Sequence, residues 1–361
     1  MTKNKTLLNF GAGPAALPQE VLKTAAAAVI NYNDTGLSIL EIPHRGKLFD
    51  AILEESKTLV KELTGIGDDY EVMWLPGGGR LQFAMIPMNF LAPEATSGYI
   101  DSGHWANDAL KNGSYYGQTV TLGSTKANNY TSLPAWPQNI PDDLSYLHFT
   151  TNNTIYGTQW NAIPTSGVPL IADMSSDIFS GQRNYNNCAL FYAVAQKNIG
   201  AAGVTLVVVK TDMLQKIQRD LPPMLDYAQH ARNNSVLNTP PVFAIYVSLL
   251  MLRWIKAKGI AQIEKDNNEK AAILYSEIDR NTMFDGIVTD AAHRSKMNVV
   301  FRSHDASKEA AFLNLCAANN ITGIAGHRSV GGFRASIYNT ISIYDVETLV
   351  TVMQEFEQNN K

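Results

Sequence analysis

Apolar residues are distributed along the first two thirds of the chain in two alternating patterns. Residues 19–30 are alanine-rich and helical in character, and residues 49–63 repeat apolar side chains every three or four positions up to a Thr64-Gly65 stop. Short continuous apolar runs predict strands that helices cover on both faces. We expect these strands over residues 70–75, 98–100, 119–122, 144–149, 170–172, 190–194 and 204–209. The alternation predicts an α/β fold.

The pattern changes near residue 260, after a helix predicted over residues 243–257. The remaining chain predicts a charged helix over residues 263–278, a strand over 297–301 and a helix over 308–319. A turn-rich segment over 323–332, a strand over 333–337 and a last helix from 345 onward follow. This order is typical of an α+β unit. We therefore expect a large domain of residues 16–260 and a smaller α+β C-terminal domain of residues 261–361 joined by residues 1–15.

Composition excludes several classes of protein. The chain has 361 residues, 45% of them hydrophobic, and a net charge of −4, so intrinsic disorder and a broad nucleic-acid-binding surface are not expected. Two cysteines are too few for a disulfide framework or a cysteine-rich metal site. The first ten residues lack an apolar signal core, and the apolar stretch at 243–252 is short for a membrane span. We expect a cytoplasmic protein without a metal.

A glycine run follows directly on one predicted strand. Residues 70–75 lead into Pro76-Gly77-Gly78-Gly79-Arg80, and a helix is predicted from Leu81. Glycines allow a ligand to approach the backbone, and the free N–H groups of a helix start attract an anion. A plain tight turn is an equally good interpretation, since neither G-x-G-x-x-G nor the P-loop pattern occurs here.

Two ionisable residues lie at the ends of buried strands. Lys197 comes shortly after the strand 190–194, and Asp173 ends the strand 170–172. Burial would lower the pKa of the lysine and make its amine nucleophilic, although a strand-end lysine often reaches solvent instead. The aspartate could hold a protonated ring nitrogen or simply cap a turn. Their spacing fits neighbouring strands, and with the glycine run they describe a pyridoxal-phosphate (PLP) site.

Basic side chains are concentrated in predicted loops. They form two His-Arg pairs and one further arginine: His44, Arg45, His327, Arg328 and Arg334. Arginine binds two oxygens of a phosphate or carboxylate at once, and histidine adds a donor. Any one of these side chains could be a solvated loop residue. Together they exceed what a cofactor phosphate needs and indicate a multiply anionic substrate.

Nine segments spread over nearly the whole chain resemble the phosphoserine aminotransferase family of fold-type I PLP enzymes. They are FGAGPAALP near the start, HRGK at 44–47, GGGRLQFA at 77–84, SGHWA at 102–106, ADMSSDI at 172–178, AQKNIGAAG at 195–203, LNTPP at 237–241, RSKMNVVF at 294–301 and GHRSVGGFRASIYN at 326–339. The resemblance implies a mixed, mostly parallel sheet flanked by helices. It also implies PLP as cofactor.

The resemblance assigns roles around the cofactor ring. Lys197 would form the Schiff base and shuttle the proton, and Asp173 would pair with the pyridine nitrogen. Trp105 would stack on the ring face, and Thr154 would hydrogen-bond the ring hydroxyl.

The cofactor phosphate would lie against Gly79, Arg80 and Gln196. In the family, Asn238 and Thr239 reach this phosphate from the partner subunit. The resemblance therefore implies a homodimer with active sites shared across the interface.

The substrates implied are glutamate and 3-phosphohydroxypyruvate, which exchange an amino group to give O-phosphoserine and 2-oxoglutarate in serine biosynthesis. A second use on 4-phosphohydroxythreonine in pyridoxine biosynthesis is also implied. Arg334 would bind the α-carboxylate, while the substrate phosphate would be surrounded by His44, Arg45, His327 and Arg328. Which subunit donates each of these four side chains is left open.

The sequence argues against three other functions. A desulfurase or lyase on the same scaffold would need an exposed reactive cysteine, but Cys316 falls on an apolar helix face and Cys188 has no basic neighbour in sequence. A non-catalytic module that binds phosphorylated metabolites would need neither Lys197 nor Asp173. A nucleotide-dependent oxidoreductase would be expected to carry the dinucleotide motif, which is missing.

Overall fold

A computed structural model describes residues 7–217 and 219–360 of the chain. The helices are α1 Gln19–Ile30, α2 Lys47–Thr64, α3 Gly79–Phe90, α4 His104–Gly113, α5 Thr211–Leu214, α6 Tyr227–Arg232, α7 Val242–Lys258, α8 Ile260–Arg280, α9 Glu309–Ala318 and α10 Ile343–Gln358. The strands are β1 Leu8–Asn9, β2 Tyr70–Pro76, β3 Thr96–Asp101, β4 Gln118–Ser124, β5 Leu147–Thr150, β6 Leu170–Asp173, β7 Leu190–Val194, β8 Val204–Lys210, β9 Phe284–Gly286, β10 Asn298–Ser303, β11 Ile321–Thr322 and β12 Phe333–Ser336.

The predicted helices and strands are found, with small shifts at their ends. Helix α2 ends where the sequence predicts, because Gly65 adopts the left-handed conformation (φ 67°) that closes a helix at low cost. The strand predicted over residues 144–149 begins later, at Leu147. Helix α4 was not predicted, and neither were the short strands β1, β9 and β11.

Among the described residues, seven strands form the central sheet in the order β2-β8-β7-β6-β5-β3-β4. Strands β7, β6, β5, β3 and β4 run parallel to one another, whereas β8 runs antiparallel to both β2 and β7. The predicted mixed, mostly parallel sheet is therefore confirmed. Its parallel strands all end at one edge, which places the segments after β5, β6 and β7 together.

Both faces of this sheet are covered by helices, as the continuous apolar strands predict. In β6, Leu170 and Ala172 join a buried cluster with α1, α2 and α7, while Ile171 joins a second cluster with α3, α4 and α6. A third buried cluster is built from Phe10 and from residues 271–356 of α8, α9, α10 and the strands between them. The core is therefore divided among three clusters, and the third lies largely in the C-terminal part of the chain.

No helix in the described part of the chain is long and apolar enough to cross a membrane.

Candidate active site

The sheet brings Asp173 and Lys197 to one cavity. Asp173 is the last residue of β6, and β6 pairs in parallel with β7, whose last residue is Val194. Lys197 follows three residues later and lies on the wall of the same cavity. The prediction that the two residues follow neighbouring strands is confirmed.

Lys197 is held as a weakly basic amine. Its Nζ donates a hydrogen bond to Thr154 Oγ1 at 2.8 Å. Burial lowers the pKa of Lys197 to about 8, with Arg334 adding to the effect and the carboxylates of Asp173 and Asp177 opposing it. About a tenth of the amine is therefore unprotonated at pH 7, far more than for an ordinary lysine, and is able to act as a nucleophile or a base.

Asp173 is a buried carboxyl group in the wall of the cavity. Only 4% of the residue is exposed, and one carboxyl oxygen accepts the backbone N–H of Ser175 at 2.9 Å. Burial raises the pKa of Asp173, while hydrogen bonds from Ser175 and the charge of Lys197 act in the opposite direction. A cation placed against this carboxyl would keep it ionised, and a protonated ring nitrogen is such a cation.

The cavity between these groups has a volume of about 280 Å³. It is lined by Gly78, Gly79, Arg80, Phe83, Trp105, Thr150, Asn152, Thr154, Asp173, Ser175, Ser176, Val194, Gln196 and Lys197. Seven of the residues predicted to hold a cofactor are in this set: Gly79, Arg80, Trp105, Thr154, Asp173, Gln196 and Lys197. The structure therefore brings together most of the predicted cofactor site within one chain.

One end of the cavity is suited to an anion. Gly78 is the N-cap of α3 and offers no side chain to cap the first N–H groups of that helix. These donors and the positive end of the helix dipole attract a phosphate. Arg80 adds a guanidinium, which lies 5.5 Å from the centre of the Trp105 ring.

A polar atom in the cavity wall provides a further test of whether PLP fits. Among the described residues, the Oγ1 atom of Thr150 is buried and has no hydrogen-bond partner. A buried hydroxyl of this kind costs free energy unless a ligand satisfies it. With the lysine, the carboxyl group and the uncapped helix, it gives a donor set that suits a phosphorylated pyridine aldehyde.

Sequence reasoning missed the polar residues that follow β5 and β6. Thr150 is the last residue of β5 and Asn152 comes two residues later, while Ser175 and Ser176 come after β6; all four line the cavity. The signal was available, because polar side chains that follow buried parallel strands collect at one sheet edge. Phe83 and Val194 carried no such signal, since apolar residues in a helix and a strand resemble core residues.

The basic side chains of the C-terminal part approach the cavity from β12 and the loop before it. Arg334 donates from Nη1 to the backbone oxygen of Thr154 at 3.2 Å, and burial lowers its pKa. The ring centre of His327 lies 6.2 Å from that of His104, and the ring centre of His104 lies 4.9 Å from that of Trp105 in a T-shaped arrangement. Arg328 is exposed. Arg334 and His327 therefore lie beside the mouth of the cavity.

Seven predicted site residues do not line this cavity: His327, Arg328 and Arg334 of the C-terminal part, and His44, Arg45, Asn238 and Thr239. Arg45 and Thr239 are exposed, and Asn238 donates a hydrogen bond to the neighbouring backbone oxygen of Thr239, at 3.1 Å. The structure of one chain therefore does not bring His44, Arg45, Asn238 and Thr239 together with the residues that line the cavity.

A family model described as aminotransferase class-V matches residues 7–349 of this chain. The chain thus belongs to the class-V aminotransferases. A phosphoserine aminotransferase from Flavobacterium johnsoniae is 50% identical over 351 residues, which are 97% of this chain and 98% of that protein. Within the class, the chain belongs to the phosphoserine aminotransferase family.

Solved structures agree with this assignment. The phosphoserine aminotransferase from Bacillus circulans subsp. alkalophilus is 42% identical, covers 99% of each chain and superposes with a TM-score of 0.95. A PLP-bound phosphoserine aminotransferase from Trichomonas vaginalis is 33% identical, covers 97% of this chain and 100% of its own, and gives a TM-score of 0.92. The fold-type I architecture implied by the sequence is confirmed.

Proposed function

We propose that the protein is a PLP-dependent phosphoserine transaminase, which exchanges an amino group between glutamate and 3-phosphohydroxypyruvate to give O-phosphoserine and 2-oxoglutarate. The observation that carries the proposal is the single cavity shared by Lys197, Asp173 and the uncapped start of α3. Relatives that match nearly the whole chain bear the same name. PLP, when bound, supplies an electron sink for the negative charge that develops at the substrate's Cα.

The chain's own groups hold and move the proton of this reaction. Lys197 Nζ is the base that removes the proton from the substrate's Cα, and its lowered pKa provides the free amine. The hydrogen bond to Thr154 Oγ1 fixes the position of that nitrogen. Asp173 lies in a largely dry environment, where its charge holds a ring-nitrogen proton more strongly than it would in water.

The basic residues would orient the two substrates. Arg334 is half-buried beside Thr154 and would bind the α-carboxylate common to both. His327 and Arg328 would meet the substrate phosphate, together with His44 and Arg45. The same pocket would accept glutamate's second carboxylate, since both anions extend from the reacting carbon. The phosphate of 4-phosphohydroxythreonine would use it as well.

We also propose a homodimer with shared active sites, because His44, Arg45, Asn238 and Thr239 lie outside the cavity of their own chain. The buried clusters support a division into a large domain of residues 16–260 and a smaller one of residues 1–15 and 261–361. Residues 1–6 and 361 of the smaller domain lie outside the described part of the chain. Two free thiols, Cys188 and Cys316, are typical of a reducing compartment such as the cytoplasm.

A comparison of amino donors tests the proposed function. Purified protein is supplied with PLP and 2-oxoglutarate, and glutamate formation is measured with phosphoserine or with unphosphorylated serine. We expect a strong preference for phosphoserine, because only that donor carries the phosphate that the basic residues would bind. Equal rates with both donors would contradict the substrate assignment, and absence of any transamination would contradict the enzyme class.

The cysteines argue against a desulfurase on the same scaffold. Cys188 and Cys316 are fully buried, and burial raises the pKa of both thiols. A buried thiol of high pKa is a poor nucleophile. We therefore expect a thiol-alkylating reagent to leave turnover unchanged in the native protein.

A further inference from the structure

A row of buried polar side chains lies beneath Asp173 on the same face of the sheet. Asp173 and Tyr192 are register partners in β6 and β7, so their side chains point to the same side. Tyr192 is fully buried, and its hydroxyl is 3.0 Å from His148 Nε2 on β5. The row therefore runs across three neighbouring strands from His148 through Tyr192 to the carboxyl of Asp173.

The surroundings of His148 determine its charge. The residue is only 2% exposed, and burial lowers its pKa to about 3. Tilted ring contacts with Tyr99 at 5.6 Å and Tyr192 at 6.1 Å surround the imidazole. The imidazole is therefore neutral and carries a single proton, on either Nδ1 or Nε2.

The unpaired atom of that ring decides which nitrogen carries the proton. Within the described part of the chain, His148 Nδ1 is buried and has no hydrogen-bond partner. A buried N–H without an acceptor is costly, whereas an unused lone pair is tolerated more readily. The favoured arrangement leaves Nδ1 unprotonated and lets Nε2–H donate to the oxygen of Tyr192.

The hydroxyl proton of Tyr192 is then free to point at the carboxyl group. Tyr192 lies beside Asp173 in the register of β6 and β7; burial, and next the charge of that carboxylate, raise the pKa of the phenol well above its usual value. With Nε2–H as donor to its oxygen, the hydroxyl can donate only in the other direction. Its one available anionic acceptor in this row is Asp173.

We propose that His148 and Tyr192 are positioning residues that act through Asp173: His148 Nε2–H donates to Tyr192, and the Tyr192 hydroxyl donates to the Asp173 carboxylate. This row keeps the carboxylate ionised and aimed into the cavity. The inference rests on the proposed function, since Asp173 is useful there only if it faces a ring nitrogen. It adds two residues that do not line the cavity.

The tautomer of His148 can be measured without any turnover. Nitrogen-15 NMR of histidine-labelled full-length protein, with His148→Gln used to assign the resonances, should show His148 neutral and protonated on Nε2 down to about pH 5. In Tyr192→Phe this signal should shift, because the imidazole loses its acceptor. Protonation on Nδ1, or a charged ring at that pH, would overturn the proposed direction of the hydrogen bonds.

Kinetics separate positioning from general packing. Tyr192→Phe removes only a hydroxyl, and Tyr146→Phe is its control, since Tyr146 is fully buried and its hydroxyl bonds that of Tyr99 at 2.7 Å. We expect kcat to fall about tenfold in Tyr192→Phe with little change in KM, because a hydrogen bond to a charged group is worth about that factor. Tyr146→Phe should keep its kcat. Equal values of kcat in the two variants would overturn the inference.

Substitution of the histidine gives a second, independent measurement. His148→Gln retains a donor near the position of Nε2, whereas His148→Met does not. We expect His148→Gln to keep a kcat closer to the parent value than His148→Met. The same loss in both variants would exclude the donor role. Failure of the parent protein to transaminate would instead contradict the proposed function and leave the NMR result standing.

Discussion

The chemistry of this site depends on a few side chains whose pKa values are set by burial. Lys197 and Asp173 are displaced toward their neutral forms for the same reason, loss of water, although one is a base and the other an acid. Each nevertheless lies close enough to influence the other. A ligand with a cationic ring and an aldehyde would satisfy both groups, which explains why this pair occurs together.

Replacing Lys197 by alanine should abolish transamination and remove the visible absorbance that the purified protein acquires with PLP. The reason is that no other amine lies on the cavity wall among the residues described. Lys210→Ala is the matched control, because Lys210 is another strand-end lysine, at the end of β8 and outside the cavity. An active, coloured Lys197→Ala protein would rule out the assigned role.

Replacing Arg334 by glutamine should weaken the binding of both amino donors by about 2–5 kcal/mol, the cost of losing one partner of a desolvated charged contact. The effect should appear in KM for glutamate and for phosphoserine alike, since both carry the α-carboxylate. Arg302→Gln is the control, because Arg302 lies on the adjacent strand β10 and is exposed. Unchanged KM values in Arg334→Gln would refute the carboxylate role.

Residues with unusual local sequence were predictable, and residues that resemble core were not. Lys197 and Asp173 stand out because ionisable groups follow apolar strands. Tyr192 and His148 lie inside such strands, where a buried tyrosine or histidine is ordinary. Only the strand register, which sequence alone does not give, aligns them with Asp173.

At the scale of elements, the order of helices and strands was predictable because the parallel strands are apolar throughout. Helix α4 was missed, since its sequence HWANDALKNG has few apolar positions and its N-cap is a glycine without a side-chain cap. The order of the strands in the sheet could not be predicted from the sequence, because uniformly apolar strands can pair in many orders. The antiparallel β8 between β2 and β7 is a case in point.

Helix α8 is tied to the segment after β12 by a buried lysine. Lys270 is fully buried and donates from Nζ to the backbone oxygens of Ile337 at 2.9 Å and Tyr338 at 2.7 Å. Burial, and then the charge of Lys258, lower its pKa to about 7 from an ordinary value of 10.5. A neutral amine has two N–H donors, which these two carbonyls satisfy.

Lys270 should make stability depend on pH. Between about pH 7 and 10.5 the unfolded lysine holds a proton that the folded one has lost, so its contribution to the free energy of unfolding rises with pH in that window. Lys270→Met should remove that rise and lower stability by about 1–3 kcal/mol, because it leaves buried carbonyls unpaired. Urea unfolding at several pH values measures both effects.

Lys265→Met, at an exposed position of the same helix, is the control for this stability series. Its unfolding free energy should follow the parent at every pH. A pH slope in Lys270→Met identical to that of the parent would show that Lys270 is charged in the folded protein.

At the scale of the whole molecule, one chain does not bring all of the proposed site residues together. The cavity holds the groups proposed to act on the cofactor ring, whereas His44, Arg45, Asn238 and Thr239 lie elsewhere on the same chain. In the proposed dimer, each set would lie against the cavity of the other chain. Sequence resemblance suggested this division, and the geometry of a single chain is compatible with it.

Mixing two inactive variants tests the shared site. Thr239→Asp would put a carboxylate against the cofactor phosphate of the partner, and Lys197→Ala lacks the base. If sites are shared, unfolding and refolding an equal mixture should restore about a quarter of the parent activity, because half of the dimers are mixed and each has one intact site. No recovery, with Lys197→Ala mixed with the parent as the refolding control, would contradict the shared arrangement.

Helix α3 begins without a side-chain cap, at Gly78, beside the anion end of the cavity. An anion that occupies this position therefore contributes to folding as well as to chemistry, since a ligand that binds only the folded chain shifts the unfolding equilibrium. Without such an anion, a larger fraction of the chain would be unfolded and open to proteolysis.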